Sequence, residues 1–247
     1  MIFLKKITFC TVGSTPALAH ARNRLAAWGY EVTEEITPAV THVLLPVPSL
    51  DVNGAIRGGQ TLEVLVASLP RGTVLMGGNL PPLECPVIDF LQDEFYLAEN
   101  AAITAHCALS LTLRHLRKTM ADLPVLIIGW GRIGKCLAQL LRSIGAEVTV
   151  TVRQAKDAAM LQALGFQAVA PEELQPDKYH IIYNTAPTPV LDQEDAHPEA
   201  LLIDLASRRG IGGDRVLWAR GLPNQMMPEA SGMLMAKTAL RFALRKE

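Results

Sequence analysis

The chain has 247 residues, of which 49% are hydrophobic and 19% charged, and a formal net charge of −1 at neutral pH. That length holds one large domain or two small ones, and the apolar fraction supports a sizeable core and argues against disorder. The near-neutral balance gives no sign of a nucleic-acid footprint, and no apolar run approaches the roughly 20 residues that span a bilayer.

The opening Met1-Ile2-Phe3-Leu4-Lys5-Lys6 lacks the charge-then-apolar order of a signal peptide. Cys10, Cys85, Cys107 and Cys136 form no CxxC pair, and buried free thiols are expected. A soluble, cytoplasmic protein without a nucleic-acid or membrane partner is the expectation.

The first half alternates strand and helix. Ile7–Val12 reads as a strand ending at Gly13, and Ser14 or Thr15 is placed to cap a helix that opens on Pro16 and stops at Gly29. Thr41–Leu45 reads as a buried strand ended by Pro46, Leu62–Leu69 as a helix and Thr73–Met76 as the next strand. Loops rich in Pro and Gly over 46–59 and 77–86 separate these pieces. The pattern predicts a mainly parallel sheet covered on both faces.

Residues 101–121 carry an amphipathic pattern with Arg114, His115, Arg117 and Lys118 at its C-terminal end, where cations favour the helix dipole. This predicts a long helix linking two domains, 1–100 on the substrate side and 122–227 on the cofactor side. A last helix over 228–246 is expected to pack back on the first domain. The fold class is therefore α/β, with two doubly wound parallel-sheet domains joined by a long helix. A ligand cleft between them is the expected consequence.

The second domain opens on the most informative stretch. Pro124–Ile128 is a short apolar strand that runs into Gly129-Trp130-Gly131-Arg132-Ile133-Gly134, a G-x-G-x-x-G. The three glycines serve a tight turn, close approach of a pyrophosphate, and close packing of helix on strand. Helical spacing continues through Leu141, Gly145 closes that helix, and Glu147–Val152 alternates like a second strand. This is the context a Rossmann dinucleotide-binding domain requires.

The second strand ends at Arg153, where an NAD-specific site carries Asp or Glu. A guanidinium grips a 2′-phosphate through two hydrogen bonds, and Arg153, Gln154 and Lys156 place no carboxylate there to repel it. NADP is the predicted cofactor.

Two further strands, Tyr179–Asn184 and Leu201–Leu205, lead into loops at the nicotinamide end. In the first, Asn184, Thr185 and Ala186 offer uncharged contacts. In the second, Ser207 and Arg208 or Arg209 offer a hold for a substrate carboxylate. In the first domain, the turns at Pro46–Ser49 and Gly77–Asn79 form the opposite wall, so Ser49 and Asn79 are candidate substrate contacts. No histidine spacing suits a metal. His106, early in the linking helix, is the candidate general acid–base residue.

The stretches Gly129–Gly134, Val152-Arg153, Asn184–Pro187, Ile203–Arg208, Gly221-Leu222-Pro223 and Pro228–Gly232, in this order and spacing, resemble the A chain family of dipicolinate synthase over most of residues 122–240. Leu45-Pro46-Val47-Pro48-Ser49 is similar to that family's first domain. The resemblance implies a dehydration and a two-electron oxidation of a small cyclic dicarboxylate from the lysine pathway to dipicolinate, a compound of bacterial spores. It implies a nicotinamide acceptor and, as partner, the flavoprotein that forms the second subunit of dipicolinate synthase; a homo-oligomer is also compatible. Carried over to this chain, it gives Gly129, Gly131, Arg132, Ile133, Gly134 and Arg153 to the cofactor, and Asn184, Thr185, Ser207 and Arg208 to the reaction end. The chain departs from the family at Val12–Thr15 and at Thr104-Ala105-His106-Cys107, both on the substrate side.

Two other functions stay open at this point. A D-2-hydroxyacid dehydrogenase has a similar plan, but it needs a histidine late in the chain, and none follows His197. A catalytically silent, regulatory NADP-binding protein needs no catalytic dyad, and none is evident.

Overall fold

The computed structural model describes residues 6–121 and 123–245; Met1–Lys5, Asp122 and the expected helix end at Lys246 lie outside the described residues. The chain divides into two compact units. Unit 1 holds residues 1–100 and 223–247, and unit 2 holds 101–222.

Unit 1 is built on five parallel strands: β1 (Thr8–Thr11), β2 (Glu31–Thr33), β3 (His42–Leu44), β4 (Val74–Gly77) and β5 (Val87–Asp89). Their spatial order is β2-β1-β3-β4-β5, a doubly wound order that reverses between β1 and β3. Helix α1 (Pro16–Ala27) follows β1, with Pro16 at its first position and the Thr15 hydroxyl accepting from Leu18 N–H at 3.3 Å. Helix α2 (Leu62–Ser68) precedes β4. Val43, Leu45, Leu62, Leu65 and Leu75 form the core on one face of this sheet.

Helix α3 (Glu94–His115) begins seven residues before the expected linking helix over 101–121 and ends six before its end. The reason for the early start lies at Asp93, whose carboxylate accepts from Tyr96 N–H at 2.8 Å and so caps the first turn. The boundary between the units falls inside this helix.

Unit 2 carries β6 (Pro124–Ile128), α4 (Arg132–Ser143), β7 (Glu147–Thr151), α5 (Ala155–Ala163), β8 (Gln167–Val169) and β9 (Ile181–Asn184). A short pair, β10 (Leu191–Asp192) and β12 (Ile211–Gly212), forms its own small sheet, while β11 (Leu201–Asp204) and β13 (Leu217–Trp218) complete the main sheet. That sheet has the order β13-β11-β9-β6-β7-β8, all parallel. Counted from β6, this is the 3-2-1-4-5-6 order of a Rossmann domain, with its switch point between β6 and β9. Strands buried on both faces read as the near-continuous apolar runs Val125–Ile128 and Ile181–Tyr183. Tyr183 is fully buried and its hydroxyl is hydrogen-bonded to Thr112 of α3; burial pushes its pKa up to about 12.

The chain closes with α6 (Leu222–Met226) and α7 (Pro228–Ala243), which fall in unit 1 from Pro223 onward. Helix α7 lies directly on α1, and a side chain at Gly232 would run into the Ala17 carbonyl. Met235, Ala236 and Ala239 are buried on α7, as are Leu18, Ala21 and Leu25 on α1. Arg241 of α7 grips the Asp93 carboxylate through two hydrogen bonds, Nη1 to Oδ1 at 3.2 Å and Nη2 to Oδ2.

All four cysteines are free; Cys10 and Cys107 are buried, while Cys85 and Cys136 are half-buried. Burial raises the pKa of each thiol. Among the described residues no helix is long and apolar enough to cross a membrane, and no group of three or more His, Cys, Asp or Glu side chains is placed to hold a metal.

Candidate functional site

A cavity of about 480 Å³ opens at the carboxyl ends of β6 and β7. Its lining includes Gly129, Trp130 and Gly131 on one side, Thr151–Gln154 and Asp157 on another, and Pro171, Leu174, Ala186 and Val190 across from them. This size suits a small-molecule pocket with apolar walls and few polar groups.

The glycine positions differ in why they are glycine. Gly129 turns with φ +101°, and a Cβ there would stand 2.7 Å from Thr185 Oγ1. At Gly134 a Cβ would collide with the Gly129 carbonyl, so α4 could not seat against the turn. Gly131 has ordinary dihedrals, φ −76° and ψ −171°, and a Cβ there would meet nothing within 4 Å. The protein's own packing leaves room at Gly131, where the pocket wall is backbone only.

Two helix starts meet this cavity without a side-chain cap. Gly131 is the N-cap of α4 and Gln154 that of α5, and neither supplies a side-chain hydrogen bond. The free N–H groups and the positive dipole ends of both helices therefore favour anions. Arg153, exposed at the same edge, forms no hydrogen bond or ion pair among the described residues. Thr151, at the end of β7, is 5% exposed and its hydroxyl is buried without a partner among the described residues. Such an orphan costs about 1–3 kcal/mol.

The matching turn in unit 1 is closed. At its switch point the Arg57 carbonyl accepts from Ser14 N–H at 2.9 Å, and a Cβ on Gly13 would stand 2.8 Å from that same oxygen. The α1 start is also capped by Thr15. The two doubly wound units thus differ in the feature that matters: one helix start is filled by its own chain and the other opens on a cavity.

Several expected residues hold the fold rather than face a ligand. Asn184 is fully buried; its amide donates to Asp204 Oδ1 and to the Ala186 carbonyl, both at 3.0 Å, and accepts from Ala186 N–H at 2.9 Å. Its side chain is not free for the cofactor. Thr185 donates to the Ile128 carbonyl at 3.0 Å and so pins the loop to β6. Ser49 is likewise fully buried, donating to the Pro46 carbonyl at 2.8 Å and accepting from Gly78 N–H at 2.9 Å. Ser49 ties two loops together and is withdrawn from substrate contact. Asn79 is exposed in the left-handed region, φ 57°.

Arg132 and Ile133 form the first turn of α4. Ala186, Gly129, Gly131 and Arg153 share the cavity, whereas His106, Ser207 and Arg208 are exposed and do not line it. Two residues escape a reading of the sequence. Asp204 is a fully buried carboxylate that organises the loop after β11, and Asp157 brings a negative charge into the cavity that Arg153 borders. The expectation that no carboxylate stands there is corrected by Asp157, which reaches the cavity from the first turn of α5. Its spacing, four residues past Arg153, is a usable signal.

The fold and this cavity define a Rossmann-type dinucleotide-binding domain in a chain that also holds a second doubly wound domain. Residues 108–193 match the family model described as D-isomer specific 2-hydroxyacid dehydrogenase, NAD binding domain. No curated protein sequence matches the chain. Among solved structures it is similar to the A chain of dipicolinate synthase from Bacillus halodurans, with TM-score 0.84, 17% identity, and 98% of this chain and 99% of that one covered. The A chain of dipicolinate synthase from Bacillus subtilis gives TM-score 0.82 at 18% identity, with 96% of each chain covered. A transhydrogenase from Sinorhizobium meliloti gives 0.70 at 14% identity, over 95% of this chain and 92% of that one. At these identities the likeness is one of fold, and in all three it spans nearly the whole chain.

Proposed function

We propose that the chain is an NADP(H)-dependent oxidoreductase of the dipicolinate synthase A chain type, acting on a small cyclic dicarboxylate. The observation that carries this reading is the cavity at the Rossmann switch point, bordered by two uncapped helix starts and by Arg153 with no protein partner among the described residues. The α4 start and Gly131 suit a pyrophosphate, and Arg153 with the α5 start suits a 2′-phosphate. The residues present fit the group.

A bound nicotinamide supplies a hydride acceptor. Conversion of the cyclic precursor to dipicolinate loses one water, its hydroxyl leaving with a proton from the neighbouring ring carbon, and the dihydro ring then gives up a hydride to the nicotinamide and a proton to a base. Arg208 is exposed after β11 and forms no bond among the described residues, which leaves its planar fork free for a substrate carboxylate. His106, exposed on α3, is the proposed proton acceptor. The whole-length likeness to dipicolinate synthase A chains favours this reading over a 2-hydroxyacid dehydrogenase, whose late histidine is missing here. A flavoprotein, in the role of the second dipicolinate synthase subunit, is the proposed partner.

Two measurements test it. NADPH and NADH are titrated against the native protein and Arg153→Glu by nicotinamide fluorescence; NADPH is expected to bind more tightly to the native protein, and the variant to lose about 1.5–3 kcal/mol toward it. Equal native affinities would remove the NADP(H) preference. The cyclic lysine-pathway precursor with NADP⁺, with and without a flavoprotein partner, is then watched for dipicolinate absorbance. No product in either mixture, together with unchanged precursor affinity in Arg208→Ala, would favour a silent NADP-binding protein.

A further inference from the structure

We propose that Asp157 is a second reader of the adenosine ribose, opposing Arg153, so that the site keeps NAD(H) as a competent ligand beside NADP(H). This rests on the dinucleotide reading above and names how that same site selects between its two cofactors.

Three observations carry it. Asp157 and Arg153 line the same cavity as Gly129 and Gly131. Neither charged side chain forms a hydrogen bond or an ion pair among the described residues, so each is left for something that enters. Asp157 is half-buried in the first turn of α5, while Arg153 is exposed at the strand end.

The chemistry follows from the two charges. A ribose 2′-hydroxyl is a donor, and a carboxylate accepts it, which favours NAD(H). A 2′-phosphate is an anion; Arg153 attracts it and Asp157 repels it, and partial burial limits screening of that repulsion. Selectivity is then the difference between two opposed contacts on one sugar. A cavity edge built for NADP(H) alone has no use for the carboxylate. One built for NAD(H) alone has no use for the guanidinium.

The test is a change of preference, read on the full chain. NADPH and NADH are titrated by nicotinamide fluorescence against native protein, Asp157→Asn, Asp157→Ala and the charge-retaining Asp157→Glu. Asp157→Asn and Asp157→Ala are expected to move the ratio of the two dissociation constants about tenfold or more toward NADPH, by tightening NADPH and loosening NADH, while Asp157→Glu stays near the native ratio. Either neutral variant suffices if the other fails to fold. A ratio unmoved in both neutral variants, or moved toward NADH, overturns the assignment while leaving the dinucleotide site intact. Native protein that binds neither cofactor overturns the dinucleotide reading and this assignment with it.

Discussion

Asn184 donates its side-chain amide to the carboxylate of Asp204 at 3.0 Å, joining the ends of two neighbouring parallel strands inside the core. Asp204 also accepts from Ala206 N–H at 3.0 Å, Gly210 N–H at 2.7 Å and Ile211 N–H at 2.9 Å. A fully buried carboxylate is thus satisfied by N–H donors alone, which shapes the loop that carries Ser207 and Arg208. Asp204→Asn would turn an NH₂ group toward donors at 210 and 211. It is expected to cost about 1–3 kcal/mol in thermal or denaturant unfolding and to speed proteolysis within 205–211. A variant as stable as the native protein would show that the carboxylate does not hold this loop.

Gly131 and Gly134 should separate binding from folding. Gly131→Ala adds a methyl to open space at ordinary dihedrals, so its stability loss should stay below about 1 kcal/mol. Its NADPH affinity should fall about tenfold or more, because the methyl occupies the approach of the pyrophosphate. Gly134→Ala forces a methyl into the Gly129 carbonyl and should destabilise by about 1–3 kcal/mol. Unchanged NADPH affinity in Gly131→Ala would move the pyrophosphate elsewhere.

Asp93 gives unit 1 an acid-sensitive joint. Burial pushes its carboxyl upward, but the Arg241 and Tyr96 hydrogen bonds and the charges of Arg241 and Arg245 together more than offset this, and the net shift is below the ordinary carboxylate value. A depressed native pKa means that the stabilisation is fully present above about pH 4, the unfolded value, and is lost as pH falls through the lower native one. Asp93→Asn is expected to cost about 1.5–3 kcal/mol at neutral pH, and the gap to the native protein should narrow below about pH 4. A gap that is constant with pH would contradict the ion-pair account.

The cofactor turn is readable in the sequence because each demand there falls on a residue type. A positive φ, a close helix and an open approach all select glycine, and Arg153 stands where an acid is otherwise required. Strands buried on both faces announce themselves as unbroken apolar runs, and the doubly wound class follows from their alternation with helices. The direction of polar side chains is not readable in the same way. Asn184 and Ser49 sit at strand ends, where ligand contacts gather, yet both turn inward to bond backbone groups that would otherwise be orphaned. Asp157 goes unread because no helix is expected after Arg153; its spacing of four residues is the one signal, and the first turn of α5 brings it to the same cavity as Gly131. The start of α3 is hidden because its capping bond comes from Asp93, ahead of the amphipathic pattern that defines the rest of the helix.

Unit 1 is discontinuous in the chain, and this sets an order on biosynthesis. A ribosome delivers Ala101–Leu222 as one uninterrupted stretch containing every strand of the second sheet, so that unit can condense while synthesis continues. The first hundred residues have no such independence. The α1 side chains Leu18, Ala21 and Leu25 are buried in the finished protein, where α7 lies against their helix, and α7 is translated only after the whole second unit. The nascent chain must carry that apolar surface exposed through the synthesis of the whole second unit. A stalled or truncated product lacking Pro228–Ala243 is marked by an open hydrophobic face on α1 that chaperones and proteases can recognise.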